Sequence, residues 1–307
     1  MEKRITRTEM LFSLGFLFML IFAVGAFFYG IKVGSDKTEA KLVQFKVHLS
    51  SKNGIVTAYQ QQDLVSFYHT VFLPYREFQA EWFQTIHKMS SGQINDPASS
   101  LKELSSLADQ KYSEAEHAPF SKASPLLEQA QLQLLKCLKM FSDASKRGAV
   151  SSNDMSSSDL VKAIEKDAYY LEGVKQAMAG QQSYYYAMLK WSSSVNPNIP
   201  DQYTSPAVLD IQKWKTLQLS VKNKLMADQL NARKQLAAFY PQDLVSRVDE
   251  FINSGQASSM KMKTVDAVVD LLISTDAVRA GDFNDSKAKL YEKELLPQLP
   301  FFYPPNE

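Results

Sequence analysis

The residues best equipped for chemistry in this chain are tyrosines. Tyr169 and Tyr170, then Tyr184, Tyr185 and Tyr186, fall in one long apolar-periodic stretch whose seam also carries Asp167 and Gln181. Phenol hydroxyls and ring faces gathered in a helical interior would suit a sugar, a peptide or an aromatic ligand. A carboxylate or carboxamide on such a seam needs a partner, because an unpaired polar group is costly to bury. The plainer role for Asp167 and Gln181 is to set the register of facing helices. Three consecutive tyrosines also point around most of a helical turn, so they cannot all line one cavity. Those that face outward favour contact with a partner protein.

Other candidates are thinner. Glu77 and Glu81 lie one turn apart beside Trp82, a spacing that could hold an acid and a base on one helix face, and that an exposed polar face explains equally well. His69 and His87 are separated by five turns, about 27 Å along a helix, too far to share a metal. No HExxH, no nucleophile elbow, no phosphate loop and no dinucleotide glycine fingerprint occurs. Asp282-Phe283-Asn284-Asp285-Ser286 resembles the start of a calcium loop, but Lys287 and Lys293 stand where glycine and a bidentate glutamate are needed, so a helix start is expected there. Cys137 lies on an apolar seam, where packing is expected and not reactivity. No cofactor, metal or catalytic residue is expected.

Composition narrows the class further. The single cysteine excludes an internal disulfide framework. With 34 basic against 33 acidic residues, the chain lacks the concentrated positive charge that nucleic-acid binding needs. The 45% hydrophobic content excludes wholesale disorder in its 307 residues.

The strongest local signal is Leu11 to Ile31, 21 residues without a charge. As a helix this run would extend about 31 Å, the thickness of a bilayer's hydrocarbon core. A basic tail (Lys3, Arg4, Arg7) precedes it and Phe27, Phe28 and Tyr29 close it, a pattern of an uncleaved signal-anchor. Val24-Gly25-Ala26 would serve as a cleavage site in the alternative of a removed signal peptide, but the apolar run continues past it. The expected organisation is a cytoplasmic tail (1–10), a transmembrane helix (11–31), a connector (32–55), an extracytoplasmic helical domain (56–296) and a Pro-rich tail (297–307).

The elements that must position all of these residues are helices. Proline and glycine fall mostly between apolar-periodic stretches, with Asp96-Pro97, Ser124-Pro125 and Ser205-Pro206 as starts and glycines 92, 148, 255 and 281 as stops. Only Pro74 interrupts a stretch. Expected helices cover 56–90, 97–117, 124–147, 157–193, 206–239, 242–254, 258–280 and 285–296. Leu127, Ala130, Leu134, Cys137, Phe141 and Ala144 form the clearest seam, at steps of three and four. Ile164, Leu171, Met178 and Tyr185 repeat every seven residues, with Val174 and Met188 completing the stripe. Trp214, Leu217, Val221, Leu225, Ala232, Leu236 and Phe239 form a third. Such stripes require helix-on-helix packing, so the fold class is all-α: one transmembrane helix, then an elongated antiparallel bundle, or two in tandem divided near 150 or 195. Gly148–Ser158 and Ser192–Thr204 read as connectors. The C-terminal segment reads as extended, either packed through Phe301 and Phe302 or free.

These features together give the expectation of a membrane-anchored, non-catalytic scaffold or sensor. It would bind another envelope protein, a peptide or a second copy of itself. The alternative is a ligand-binding or hydrolytic domain acting on wall material, with Glu77 and Glu81 as its carboxylates.

Overall fold

A computed structural model describes residues 58–118 and 124–304. The tail, the apolar run from Leu11 to Ile31 and the connector lie outside the described residues. Among the described residues the regular structure is helical, joined by one isolated bridge between Asp210 and Thr264. Residues 57–307 group as one unit, and a single hydrophobic core runs from Leu64 to Phe302.

The N-terminal part of this unit is built on long helices. α1 (Gln61–Phe67) runs through a π-helical turn (Tyr68–Phe72) into α2 (Leu73–Ser90). The π turn ends two residues before Pro74, which cannot donate a backbone hydrogen bond, and widening the coil there lets the helix continue past it. α3 (Pro97–Glu116) starts as the sequence predicts, with the Asp96 carboxylate accepting from Ser99 N at 3.0 Å and Pro97 in the first turn. α4 (Pro125–Ser151) carries the expected seam, and all six of its residues are buried. Ser124 sits at its N-cap, but its hydroxyl reaches back to the start of α1. It accepts from Tyr59 N (2.9 Å) and donates to Asp63 (3.2 Å).

The structure corrects three features of the sequence reading. The stretch 157–193 is not one helix: α5 (Ser157–Glu165) ends, and α6 (Ala168–Val195) begins afresh with Asp167 as its N-cap. The break resets the register, so Leu171 is exposed although Ile164, Val174, Met178, Tyr185 and Met188 are buried. The stretch 206–239 likewise contains two helices, α7 (Ile211–Lys215) and α8 (Leu219–Arg233), and begins at the Asp210 cap; Ser205-Pro206 opens no helix. α8 stops at Lys234, in the left-handed region at φ 49°, so Leu236 and Phe239 lie beyond it. Finally, Gly148 is not a stop. It lies inside α4, where a Cβ would come within 3.1 Å of Ile164 and Leu101.

Two other glycines set the closest helix pair. Gly173 and Gly180 face α4 from α6, and an added Cβ would fall 2.9 Å from Phe141 and 2.8 Å from Leu134. Their missing side chains let α6 lie against α4 along its length, while another face of α6 packs on α8. α6 therefore joins what the sequence left open as two bundles.

The C-terminal part is made of shorter pieces: α9 (Pro241–Asn253), α10 (Gln256–Ser259), α11 (Val265–Ser274) and α12 (Asp282–Leu290). The last two are shorter than the expected 258–280 and 285–296. The segment after α12 is extended and packed, with Leu296, Leu299, Phe301 and Phe302 buried. Phe301 stacks on Tyr240 at 5.1 Å between centroids and meets Tyr68 at 5.5 Å.

Candidate functional site

The seven residues singled out by the sequence do not converge. Asp167 stands at the start of α6, where it accepts from Tyr169 N (2.8 Å) and pairs with Arg147 (2.9 Å). Tyr169 is partly exposed, with the Arg147 guanidinium 5.5 Å from its ring centre. Tyr170 stacks on Trp82 at 5.7 Å and meets Phe141 edge-on. Gln181 is buried three turns and more further along the helix. Tyr184 and Tyr185 are core residues: one donates to the Leu64 carbonyl at 2.9 Å, the other to the Gln242 carboxamide. Burial pushes both phenols far above their ordinary range. Of the five tyrosines, Tyr186 alone lines a solvent-facing recess.

That recess, of about 450 Å³, is the most site-like feature of the described residues. α6 supplies Gln182 and Tyr186, α8 supplies Lys224, Asp228 and Asn231, and the connector 196–210 supplies Tyr203 and Ser205. The connector is anchored at its ends by buried Ile199 and Leu209, the latter bonded through its carbonyl to Val265 N (2.8 Å). Asp228 is the hub. Its carboxylate accepts from Lys224 (2.6 Å), Ser205 (2.7 Å) and Gln182 (2.8 Å), and Gln182 in turn accepts from Asn231 (2.8 Å). Lys224 also donates to the Tyr203 carbonyl at 2.9 Å. The ammonium groups of Lys190 and Lys224 lie 5.3 and 5.5 Å from the Tyr186 ring centre.

Sequence reading reached only Tyr186 in this recess. Lys224 and Asp228 stand four apart on α8, an ordinary ion-pair spacing, and nothing local says that Gln182 and Ser205 meet them from two other elements. Ser205 reads as a helix cap because Pro206 follows it; its hydroxyl is spent on Asp228 instead.

The chemistry available is that of binding. Lys224 and Asp228 neutralise each other, the Ser205 hydroxyl donates to that same paired carboxylate, and no cysteine or histidine is among the lining residues. Glu77 and Glu81 lie on the exposed face of α2, bonded to Lys111 (2.7 Å) and Thr85 (3.3 Å), while Trp82 beside them is buried against Phe141. That arrangement is a solvated face with no cleft. Burial pushes the Cys137 thiol up, out of the reactive range. Among the described residues no cluster of His, Cys, Asp or Glu has the geometry to hold a metal ion. Comparison with known protein families, with characterised proteins and with solved structures finds no match to this chain.

Proposed function

We propose that this chain is a membrane-tethered, non-catalytic helical module that holds an envelope protein, or a second copy of itself, outside the cytoplasmic membrane. The observation that carries the reading is the uncharged run Leu11 to Ile31 between a basic tail and a helical domain. Among the described residues no helix is long and apolar enough to cross a membrane, so the tether rests on that run alone. A binding role is supported by the state of the titratable side chains, many of which are tied up in ion pairs, those at the recess between α6 and α8 included. Asp109 with Lys146, Glu172 with Lys136 and Asp228 with Lys224 are examples.

Fractionation of cells expressing the full chain tests this. The protein is expected in the membrane fraction after alkaline extraction, with residues beyond 57 cut by protease added from outside and co-purifying with an envelope component after cross-linking. Recovery in the soluble fraction, or protection of the helical domain from external protease, would falsify the tether and its orientation.

A further inference from the structure

We infer that the recess formed by α6, α8 and the 196–210 connector is a binding site for a neutral saccharide. The inference rests on the reading of the domain as a binding module, and holds whether or not Leu11 to Ile31 is a membrane anchor.

Charge comes first. Lys224 is paired with Asp228 inside the recess, and Lys190, beside Tyr186, is paired with Asp201 at 3.0 Å. An anionic or cationic ligand would have to displace one partner of an ion pair, whereas an uncharged polar ligand leaves both intact. The site therefore selects a neutral molecule rich in hydroxyl or amide groups.

Orientation comes next. Asn231 donates to Gln182, Gln182 donates to Asp228, and Ser205 and Lys224 close the network on the other carboxylate oxygen. The Asn231 carboxamide is held by one bond and that of Gln182 by two, and each retains others. The Asn231 oxygen, the second N–H of Gln182 and a lone pair on Asp228 Oδ1 are donors and acceptors fixed in place before any ligand arrives. Planar amide and carboxylate groups offered side by side match the adjacent hydroxyls of a sugar, each of which both donates and accepts. Holding them in a network lowers the ordering cost of binding. Tyr186, with the Lys190 and Lys224 ammonium groups over its ring, adds aromatic surface to the recess wall against which apolar C–H groups of a sugar can pack.

Size and alternatives agree. About 450 Å³ lies within the range of small-molecule sites, roughly 300–1,000 Å³. Peptide recognition by strand addition needs a sheet edge, and the described residues form none; recognition of an amphipathic helix needs a groove of aliphatic side chains, and the walls here carry Gln182, Ser205, Lys224, Asp228 and Asn231.

The test is calorimetry and saturation-transfer NMR on the full-length chain in a polyoxyethylene detergent, which carries no sugar headgroup. Maltose, cellobiose and di-N-acetylchitobiose serve as probes. At least one is expected to bind with a millimolar Kd or tighter, and Tyr186→Ala and Asn231→Leu are each expected to weaken it about tenfold or more. Leu171→Ser, on an exposed site at the far end of α6, is expected to leave the Kd unchanged. Should Asn231→Leu misfold, as judged by far-ultraviolet circular dichroism, Asn231→Ser removes the carboxamide with less disturbance. Absence of binding by all three sugars up to tens of millimolar overturns the proposal, as does binding that survives both recess variants. Preference for a sugar phosphate or a charged peptide over the neutral sugars overturns it too.

Discussion

The α4–α6 pair and the α8–α12 region solve the same problem, helix packing, with opposite materials. Between α4 and α6 the contact is apolar and periodic, with Ala130, Leu134 and Phe141 set against Gly173, Ala177 and Gly180. Polar pairs there flank the apolar seam: Lys136 with Glu172 at the exposed rim, and buried Ser183 donating to Gln133 at 3.0 Å. In the C-terminal region the centre itself is charged. Buried Asp249 accepts from Lys222 (2.9 and 3.0 Å), Trp214 (2.6 Å) and Tyr291 (2.7 Å), joining α7, α8 and α9 to the residue that follows α12. Short helices present too few apolar residues each to fix their mutual angles, and a saturated polar centre supplies the missing specificity. In the long-helix pair, shape suffices.

The sharpest way to break this comparison is to remove the charged centre. Asp249→Ala leaves Lys222 buried and unpaired, together with two orphaned donors, and is expected to cost 3–5 kcal/mol, read as a lowered urea midpoint by tryptophan fluorescence. Trp214 donates to Asp249 itself, so its emission senses the centre directly, while Trp82 and Trp191 contribute from elsewhere in the core. Lys222→Met combined with Asp249→Leu is expected to recover part of the loss, since it removes both charges. If the single variant unfolds at the wild-type midpoint, the polar centre is not what holds the short helices.

Acidity offers a second, reversible probe of the same region. Asp243 is buried at the start of α9 and accepts from Tyr240 N (2.8 Å), Phe283 N (3.0 Å) and Gly281 N (3.2 Å), tying α9 to the start of α12. Burial raises its carboxyl to about 6, against the opposing pull of those three N–H groups. Its folded value exceeds the unfolded value near 3.9, so between them the native state holds the extra proton. Stability should therefore rise as pH falls from 7 to 4, by about 2–3 kcal/mol from this group, and decline again as pH climbs through 6. Asp243→Asn is expected to flatten that window. A wild-type stability that falls steadily over the same range, with no difference in the variant, would remove Asp243 from the account.

How much of each region could be read from the sequence follows from the same contrast. The α4 seam was legible because apolar spacing at three and four is written locally, and every residue assigned to it is buried. The α5–α6 break was not, because Asp167 looks like a seam residue until the chain is seen to turn there. The Asp249 centre was invisible: its four members come from positions 214, 222, 249 and 291, and no spacing rule connects them. The recess failed for the same reason, with Tyr186 as its one legible member. The close approach of α6 to α4 left a sign that passed unread, two glycines seven residues apart within a continuous helical pattern.

Those glycines give a third test, on the apolar side. Gly180→Ala would place a methyl 2.8 Å from Leu134 Cγ and 3.3 Å from the Ala130 carbonyl. Leu134 can yield, but the backbone of α4 cannot without opening the pair. The intrinsic helix preference of alanine over glycine, nearly 1 kcal/mol, works in the opposite direction. Overpacking of 1–3 kcal/mol is expected to win, giving a net loss of about 1–2 kcal/mol. A stabilised variant would mean that α6 can stand off from α4 at no cost, and that shape is not the organising term here.

The smallest effect is expected at the rim of that same pair, and it separates geometry from energy. Glu172 is held by Lys136 (2.8 Å), Gln176 (2.7 Å) and Lys175 (3.3 Å), and these hydrogen bonds, Lys136 foremost, lower its carboxyl to about 2. A lowered folded value means that the stabilisation is present above the unfolded value near 4.3 and is lost as pH falls toward 2, the reverse of Asp243. With the Lys136 side chain half exposed and that of Glu172 at 30%, solvent screens most of the interaction, and Glu172→Gln at pH 7 is expected to cost under about 1 kcal/mol, shrinking further in salt. A cost rivalling that of Asp249→Ala would show that the α4–α6 contact, for all its apolar periodicity, depends on charge as heavily as the short helices do.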